Sequence, residues 1–455
     1  MMIRPLPRRR EQPARAPPKP RRKRPCQSPA EFTGTEPSKA SGLQLLRDSA
    51  GFRSLWSARV ISVGGDALSL VALMLHVADT MGQAIAVSLL LLVGDFVPSL
   101  LSPIAGAISD RFELKRVMIA CELAQGMVLL LIALSLPPLP LLLVLVGLRA
   151  IAGQVFLPAS RAALPGLVRD KDLETANATL GFGTNSAEAL GPLAAAALLP
   201  FVGIRGVLLV DAVSFVLAGA VLLKLRSLPP APSPEGSKAS LLGDAKSGLG
   251  YIRSAKVVRV IALGFCAIVA FNGVDDVALV LLATESFAAG ESAAGLLLGA
   301  VGIGLLFGYA LTARYSARMS LVTLLVAGFA VNSAGNLLTG LAWAAAAAFM
   351  TQFIRGFGIA AMDVATNTML QRLVPQGMLG RVFGNLYGAI GVAAALSYIA
   401  GGFLLDATSA PTTLLIAGGG GLLTTMLVAF ALPGVLRKHT ADSDPDDTET
   451  RSVTQ

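Results

Sequence analysis

Between about Ser54 and Leu436 the chain alternates long apolar runs with short polar connections. Each run is long enough to cross a hydrocarbon core of about 30 Å as a helix. The runs fall at 54–78, 84–109, 116–136, 140–161, 175–199 and 206–226, then at 257–284, 291–313, 319–341, 344–369, 380–405 and 412–436. Membrane-spanning strands would instead be short segments of alternating polarity. The pattern therefore predicts an all-α membrane protein of about twelve spans, in two groups of six.

The polar segments divide the chain further. Residues 1–50 carry a Pro/Arg-rich tract, including Arg8–Arg10 and Arg21–Arg24, which cannot bury a core and is expected to be a disordered basic tail. No apolar stretch follows that basic run within reach, so it does not read as a signal peptide. Such a tail suits the anionic lipid surface better than a nucleic acid. The expected six-helix bundles are 51–226 and 257–436, with a linker at 227–256 and a polar tail at 437–455. The linker opens extended and Pro-rich (Pro229 to Pro234). Its second part, Leu241 to Arg253, reads as a short amphipathic helix on the membrane surface.

Charge orients the spans. Lys and Arg gather in both tails and in the even-numbered connections, and only Arg205 falls in an odd-numbered one. The positive-inside rule then places both termini in the cytoplasm, which requires an even number of spans. The expected location is the plasma (inner) membrane.

Composition adds exclusions. With 54% hydrophobic and 14% charged residues, and a mean hydropathy of +0.68, the chain has more apolar surface than a soluble fold could hide. Cys26, Cys121 and Cys266 are few and far apart, which excludes a disulfide framework or thiolate metal site. His76 and His439 form no HExxH site, and no GxxxxGK[ST] loop is present to bind ATP. Neither a nucleophile with its base nor a metal-ligand cluster is visible, so no enzyme, cofactor or metal is expected. Energy for transport would come from an ion gradient, of protons or sodium.

The two groups repeat. A shift of 206 carries Arg149 onto Arg355, Leu164 onto Leu370, Leu167 onto Leu373 and Val168 onto Val374. Asp66 in the first span has counterparts in Asp275 and Asp276 of the seventh. Apolar coincidences are common in such a chain, but an arginine inside a span is not, so the Arg pair carries the weight.

The second connection reads Gly106-Ala-Ile-Ser-Asp110-Arg111-Phe-Glu-Leu-Lys115-Arg116, which resembles the loop signature GxxxDRxGRR of the major facilitator superfamily. Glu113 stands where that signature has Gly, and Leu114 where it often has a basic residue. In the second-half copy Gly308 and Arg318 fit, while Thr312 and Ala313 replace the Asp and Arg. The stretch Ala187-Glu188-Ala-Leu-Gly191-Pro192 resembles the Gly-Pro element of drug exporters in that superfamily. Phe52–Trp56 leading to Gly65-Asp66, and Leu370–Pro375 through Gly380–Phe383, resemble its macrolide-efflux and siderophore-exporter branch. The resemblance covers about 50–436. It implies the major facilitator fold, two six-helix bundles about a pseudo-two-fold axis with spans one, four, seven and ten around a central cavity. It further implies a latch role for Gly106, Asp110, Arg111 and Arg116, and a helix bend at Gly191-Pro192.

Ionisable groups inside a membrane are costly and mark candidate sites. At 100° per residue Arg59, Ser62, Asp66 and Ser69 share an arc of about 80° on span one. Arg149, Gly153, Phe156 and Ser160 share a face of span four, as do Gln352, Arg355, Ile359, Asp363 and Asn367 on span ten; Asn272, Asp275 and Asp276 cluster in span seven. The proton-coupling candidates are Asp66, Asp275, Asp276, Asp363 and Glu188, with Asp66 first. The alternative for Asp66 is a static ion pair with Arg59 or Arg149. The cavity and substrate candidates are Arg59, Ser62, Arg149, Asn272, Gln352, Arg355 and Asn367. Adjacent Asp275 and Asp276 splay by 100°, so at least one is structural. Asp95 reads as a packing residue, Glu122 as a side chain snorkelling to the interface, Asp211 as a partner of Arg205, and His76 as an interfacial bystander.

These readings lead to proton-coupled export of small amphiphilic molecules by a monomer embedded in the bilayer. Acids slightly outnumber arginines on the expected cavity side, which leans towards cationic or neutral cargo. Siderophore or metabolite transport on the same fold is the nearest alternative, and a non-transporting scaffold or sensor a more distant one.

Overall fold

The apolar runs fold as helices because a helix satisfies its backbone N–H and C=O groups within one segment, without water. The computed structural model describes residues 40–81, 86, 89–90, 92–228, 240–287, 290–315 and 319–442. Most of the basic N-terminal tract, the Pro-rich start of the linker, Arg318 and the end of the C-terminal tail lie outside them. The helices pack within one unit, Lys39–Gln455.

A short helix, Gly42–Asp48, opens the described chain, its N-terminus closed by a capping box between Ser41 and Gln44. Span one is Ala50–Met81, and span two passes from a π-helical turn, Leu92–Phe96, into Val97–Arg111. Span three, Leu114–Ser135, ends where Leu136 turns left-handed (φ 41°) before Pro137 and Pro138. Span four is Leu139–Ala163. The linker helix Leu241–Ser254 is capped by Ser240 and lies where the amphipathic pattern put it. Spans eight to twelve are Gly290–Tyr315, Leu321–Gly340, Ala345–Leu373, Leu379–Ala407 and Ala410–Asp442.

Three boundaries differ from expectation. Spans five and six, expected as separate helices, are hydrogen-bonded as one run, Leu173–Leu222, so only 11 separate helices qualify as membrane spans among the described residues. A straight helix of that length would reach about 75 Å. It does not run straight, because Gly203 adopts φ 64°, ψ −178°, a conformation essentially reserved for glycine. The contacts prove the reversal: Gly191 packs on Ala67 while Asp211 packs on Gly65, so both limbs flank the same turn of span one. The run is two spans, and the total is twelve. Span seven, expected unbroken, is interrupted at Gly273–Val274 between Lys256–Asn272 and Asp275–Leu281. Finally, span four runs two residues past its expected end, to Ala163, and Arg161 lies in its last turn.

Each half has its own apolar core. Phe52, Leu55, Met118, Phe156 and Leu222 pack at one end of the first half, and Leu73, Leu129, Ile132 and Phe215 at the other. Ile261, Leu325, Phe329 and Leu432 centre the second half. Large apolar side chains such as Met127 (73% exposed) and Phe430 (84%) cover the outside of the bundle. A polar solvent would not tolerate that surface; a bilayer does. The result is an all-α membrane protein with two six-helix bundles.

Candidate transport site

The two halves meet firmly at the end that carries the basic connections, called here the basic end. Gly106 of span two lies so close to span eleven that a Cβ there would stand 2.1 Å from the Gly380 carbonyl oxygen. Only a residue without a side chain allows that approach. One turn further on, Asp110 accepts hydrogen bonds from the backbone N–H groups of Gly380 (2.7 Å) and Arg381 (2.9 Å), the first turn of span eleven. A carboxylate there satisfies donors that have no partner inside the helix and meets the positive end of its dipole. Arg381 joins Asp110 (3.6 Å) to Asp244 of the linker helix (3.2 Å).

A second seam runs beside it between spans four, five, eight, ten and eleven. Arg372 of span ten pairs with Asp170 (3.2 Å) and with Glu174 of span five (3.0 Å). Asn177 donates to Gln371 (2.6 Å) and Thr368 (3.1 Å), and Gln371 donates to the Arg161 carbonyl (3.0 Å). Deeper in, Arg161 faces Asp363 at 3.8 Å, Tyr309 donates to Asp363 (3.0 Å) and Tyr387 donates to Asn367 (3.0 Å). These contacts seal the basic end.

The expected latch residues separate here. Gly106 and Asp110 touch the other half. Arg116 instead pairs with Glu113 in its own loop (2.7 Å), with its side chain 85% exposed. Arg111 is exposed at the end of span two. Gly308 of the decayed second copy packs on Phe357 and Ala360 of its own half.

Beyond the seal, a cavity of about 570 Å³ opens inside the first half. Its walls are mostly apolar, from Val63 to Met74 of span one with Leu90, Val146 and Pro192, and its polar groups are Asp66, Arg149, Glu188 and Gln125. Asp66 and Arg149 form an ion pair, with Asp66 38% exposed at its side chain. Gly191 packs on span one, and Pro192 keeps helical torsions, since Gly203 alone departs from them in that run. Gly191-Pro192, where a bend is expected, thus lies within a helically wound stretch, and the turn between spans five and six is at Gly203.

The other candidates are placed differently. Arg59 lies over the Phe156 ring (5.4 Å) rather than on Asp66. Ser62 is buried beside Glu122. In the second half Asp275 and Arg355 pair, each side chain only 7% exposed. Arg355 also donates to Asn332 (2.9 Å) and Gln352 (3.0 Å), Gln352 donates to Asn336 (3.2 Å) and Thr339 (2.9 Å), and Asn336 donates to Asn272 (2.9 Å). Expected on the cavity, Asn272, Gln352 and Arg355 are instead turned towards span nine, whose Asn332, Asn336 and Thr339 saturate their hydrogen bonds. Asp276 diverges from its neighbour towards Tyr398 (3.4 Å), and Asp363 and Asn367 belong to the seal.

Two acids read as peripheral are relocated. Glu122 does not snorkel: it is 1% exposed, facing Arg59, Ser62, Asp66 and Asp211. Asp211 does not pair with Arg205. It is fully buried against Gly65, accepts from Ser214 (2.9 Å) and lies within electrostatic range of Asp66 and Arg149. Asp95 sits in the π-helical turn of span two. Arg161, Tyr309, Tyr387 and span nine's asparagines were not singled out as candidates. Asn332 and Asn336 lie one turn apart in an apolar run, which was the available signal.

Two six-span halves, sealed at one end and hollow beyond it, define a membrane transporter. The chain belongs to the Major Facilitator Superfamily, whose family model matches residues 55–282 and 276–454. It is similar to the uncharacterized MFS-type transporter YfiS of Bacillus subtilis (strain 168), 26% identical over 372 residues, which is 80% of this chain and 88% of that one. It is also similar to macrolide efflux protein A of Streptococcus pyogenes, 22% identical over 290 residues, 60% of this chain and 69% of that one. Its fold matches the crystal structure of the human organic anion transporter MFSD10 (TETRAN) with a TM-score of 0.70 at 17% identity, over 83% of this chain and 99% of that one.

Proposed function

We propose that this protein exports small amphiphilic molecules across the plasma membrane by alternating access, driven by proton influx. The observation that carries the reading is the Asp66–Arg149 ion pair on the wall of a mostly apolar cavity of about 570 Å³. Such a wall suits a drug-sized amphiphile: apolar area for affinity, a few polar groups for orientation. Asp66 is exposed enough to exchange a proton with cavity water, while Arg149 and arriving cargo compete for its charge. The likeness to a macrolide efflux protein supports export. In this reading the basic end faces the cytoplasm with both termini, and the sealed state opens outward. One proton descending 100 mV supplies about 2.3 kcal/mol, enough to bias a two-state equilibrium of a few kcal/mol.

Two experiments test it. A growth-inhibition panel with and without the protein reports direction and cargo class; export predicts resistance to at least one amphiphile. Reporter fusions after Arg253 and Arg437 should read cytoplasm, and one after Arg205 the outside. A cytoplasmic signal at Arg205 would overturn the orientation.

A further inference from the structure

We propose that Glu122 and Arg59 form a charge relay that tells the seal at the basic end whether the interior of the first half has taken up a proton. The proposal rests on the proton-coupled reading above and extends it to residues behind the cavity wall.

Glu122 of span three is buried, and its Oε2 has no hydrogen-bond partner. Arg59 of span one is its cation within range, and the Arg59 Nε is likewise buried without an acceptor. An orphan carboxylate oxygen and an orphan guanidinium donor in one apolar interior are costly if permanent. They are economical if the pair has two settings. Asp275 differs in how its cation is held: it pairs directly with Arg355, which is fixed in place by Asn332 and Gln352, whereas Arg59 lies over the Phe156 ring.

The position of Arg59 supplies the connection. It lies within electrostatic range of Glu122 and Asp66 on one side and of Arg161 and Tyr387 on the other. Arg161 faces Asp363 across the halves. With Glu122 ionised, its charge offsets that of Arg59, and Arg161 can stay on Asp363. When Glu122 takes a proton, Arg59 keeps only the weaker offset of Asp66 and repels Arg161 more strongly, so the Arg161–Asp363 contact weakens and the basic end opens. The sign suits a proton that arrives from the cavity side and is released on the other. The other groups facing Glu122 are Ser62 and Asp66 on span one and Asp211 on span six, with Cys121 preceding it on its own helix. Asp363 is also faced by Tyr309.

The test needs no cargo. In full-length protein with Cys26, Cys121 and Cys266 replaced by alanine, labels at Arg47 and Gln376 span the seal. Distances are read in nanodiscs from pH 8 to 5. The open population should grow at least about threefold in the parent as pH falls. Glu122→Gln should be open at every pH and lose most of that response. Glu122→Asp should keep it, and Arg59→Gln added to Glu122→Gln should return the closed distance. A parent that does not respond to pH, a Glu122→Gln variant that responds like the parent, or a double variant that stays open each overturns the relay. If Glu122→Gln does not fold, Arg59→Gln alone decides: it should stay closed with a reduced response, and a full response overturns the relay. Because no transport is measured, a failure of the export reading leaves these distances unchanged, so the two can fail separately.

Discussion

In the first half, the span-one aspartate and span-four arginine meet on the wall of a cavity; in the second, their counterparts Asp275 and Arg355 meet in a buried polar network. The repeat therefore preserves the pair and changes its surroundings. Span nine makes the difference, because its Asn332, Asn336 and Thr339 close the network around Arg355. The face of span three turned to Arg59 carries a carboxylate instead, Glu122. The first-half aspartate is open to the cavity, and the second-half pair is buried. Exposure should therefore rank the consequences of breaking each ion pair, and substitutions along that ranking can break the comparison or sharpen it.

The largest effect on stability is expected for Asp275→Asn. Removing one partner of a buried pair leaves Arg355 charged and uncompensated, which typically costs about 3–5 kcal/mol. The expected outcome is a strong drop in the thermal midpoint of the purified protein and in its membrane level. A stable Asp275→Asn protein that cannot transport would invert the comparison and make the second-half pair the working one.

Asp66→Asn comes next, with its effect on transport rather than stability. The side chain is 38% exposed, so losing its charge should cost less than at Asp275, with Arg149 (13% exposed) reaching cavity water. In proteoliposomes with an imposed pH gradient, the variant should still exchange cargo down a gradient. Accumulation against one should fall by at least about tenfold, and the rate should lose its dependence on pH. Near wild-type uphill transport would move the coupling elsewhere, with Asp276 or Asp363 next to be tested.

Much of this frame is legible in the sequence because lipid imposes simple rules. Twelve runs, their helical nature, the linker helix and the pairing of Arg149 with Arg355 by repeat all follow from length, polarity and a one-number shift. What is not legible is rotation. The same 100° arithmetic that grouped Arg59 with Asp66 cannot say that Arg59 turns to Phe156. Nor can it say that span nine supplies partners to Gln352 and Arg355, since that depends on packing between non-neighbouring helices. Distance from a span end misled for Glu122 and Asp211, because depth along a helix says nothing of which way a side chain faces. The turn at Gly203 falls inside the connection expected between 199 and 206, but one glycine among many carries no mark of which residue takes the unusual torsions.

Asp110→Asn should have a smaller effect. Asn can still accept from one of the two backbone N–H groups of span eleven, but it loses the charge that favours that helix N-terminus. A carboxylate at such a position is worth about 0.3–2 kcal/mol, so transport should fall a few-fold with expression nearly unchanged. Unchanged transport would mean that the seal is held by the Arg372 and Arg161 contacts alone.

Arg116→Ala should do least, although it lies in the same loop motif as Asp110. Its partner Glu113 is three residues away, and the Arg116 side chain is 85% exposed. The Arg116 guanidinium is solvated when the pair opens, so the Coulomb gain nearly cancels against its hydration and side-chain entropy; surface pairs are worth about 0–1 kcal/mol. Glu113 also accepts from Ser227 (2.7 Å), so it keeps a partner without Arg116. The expected thermal midpoint is unchanged, and transport stays within about twofold of wild type, measured beside Asp110→Asn in the same vesicles. A loss from Arg116→Ala as large as that from Asp110→Asn would show that Arg116 reaches a partner in the opposite access state. Exposure in the sealed state would then no longer rank the pairs, and the contrast between the two halves would hold for one conformation only.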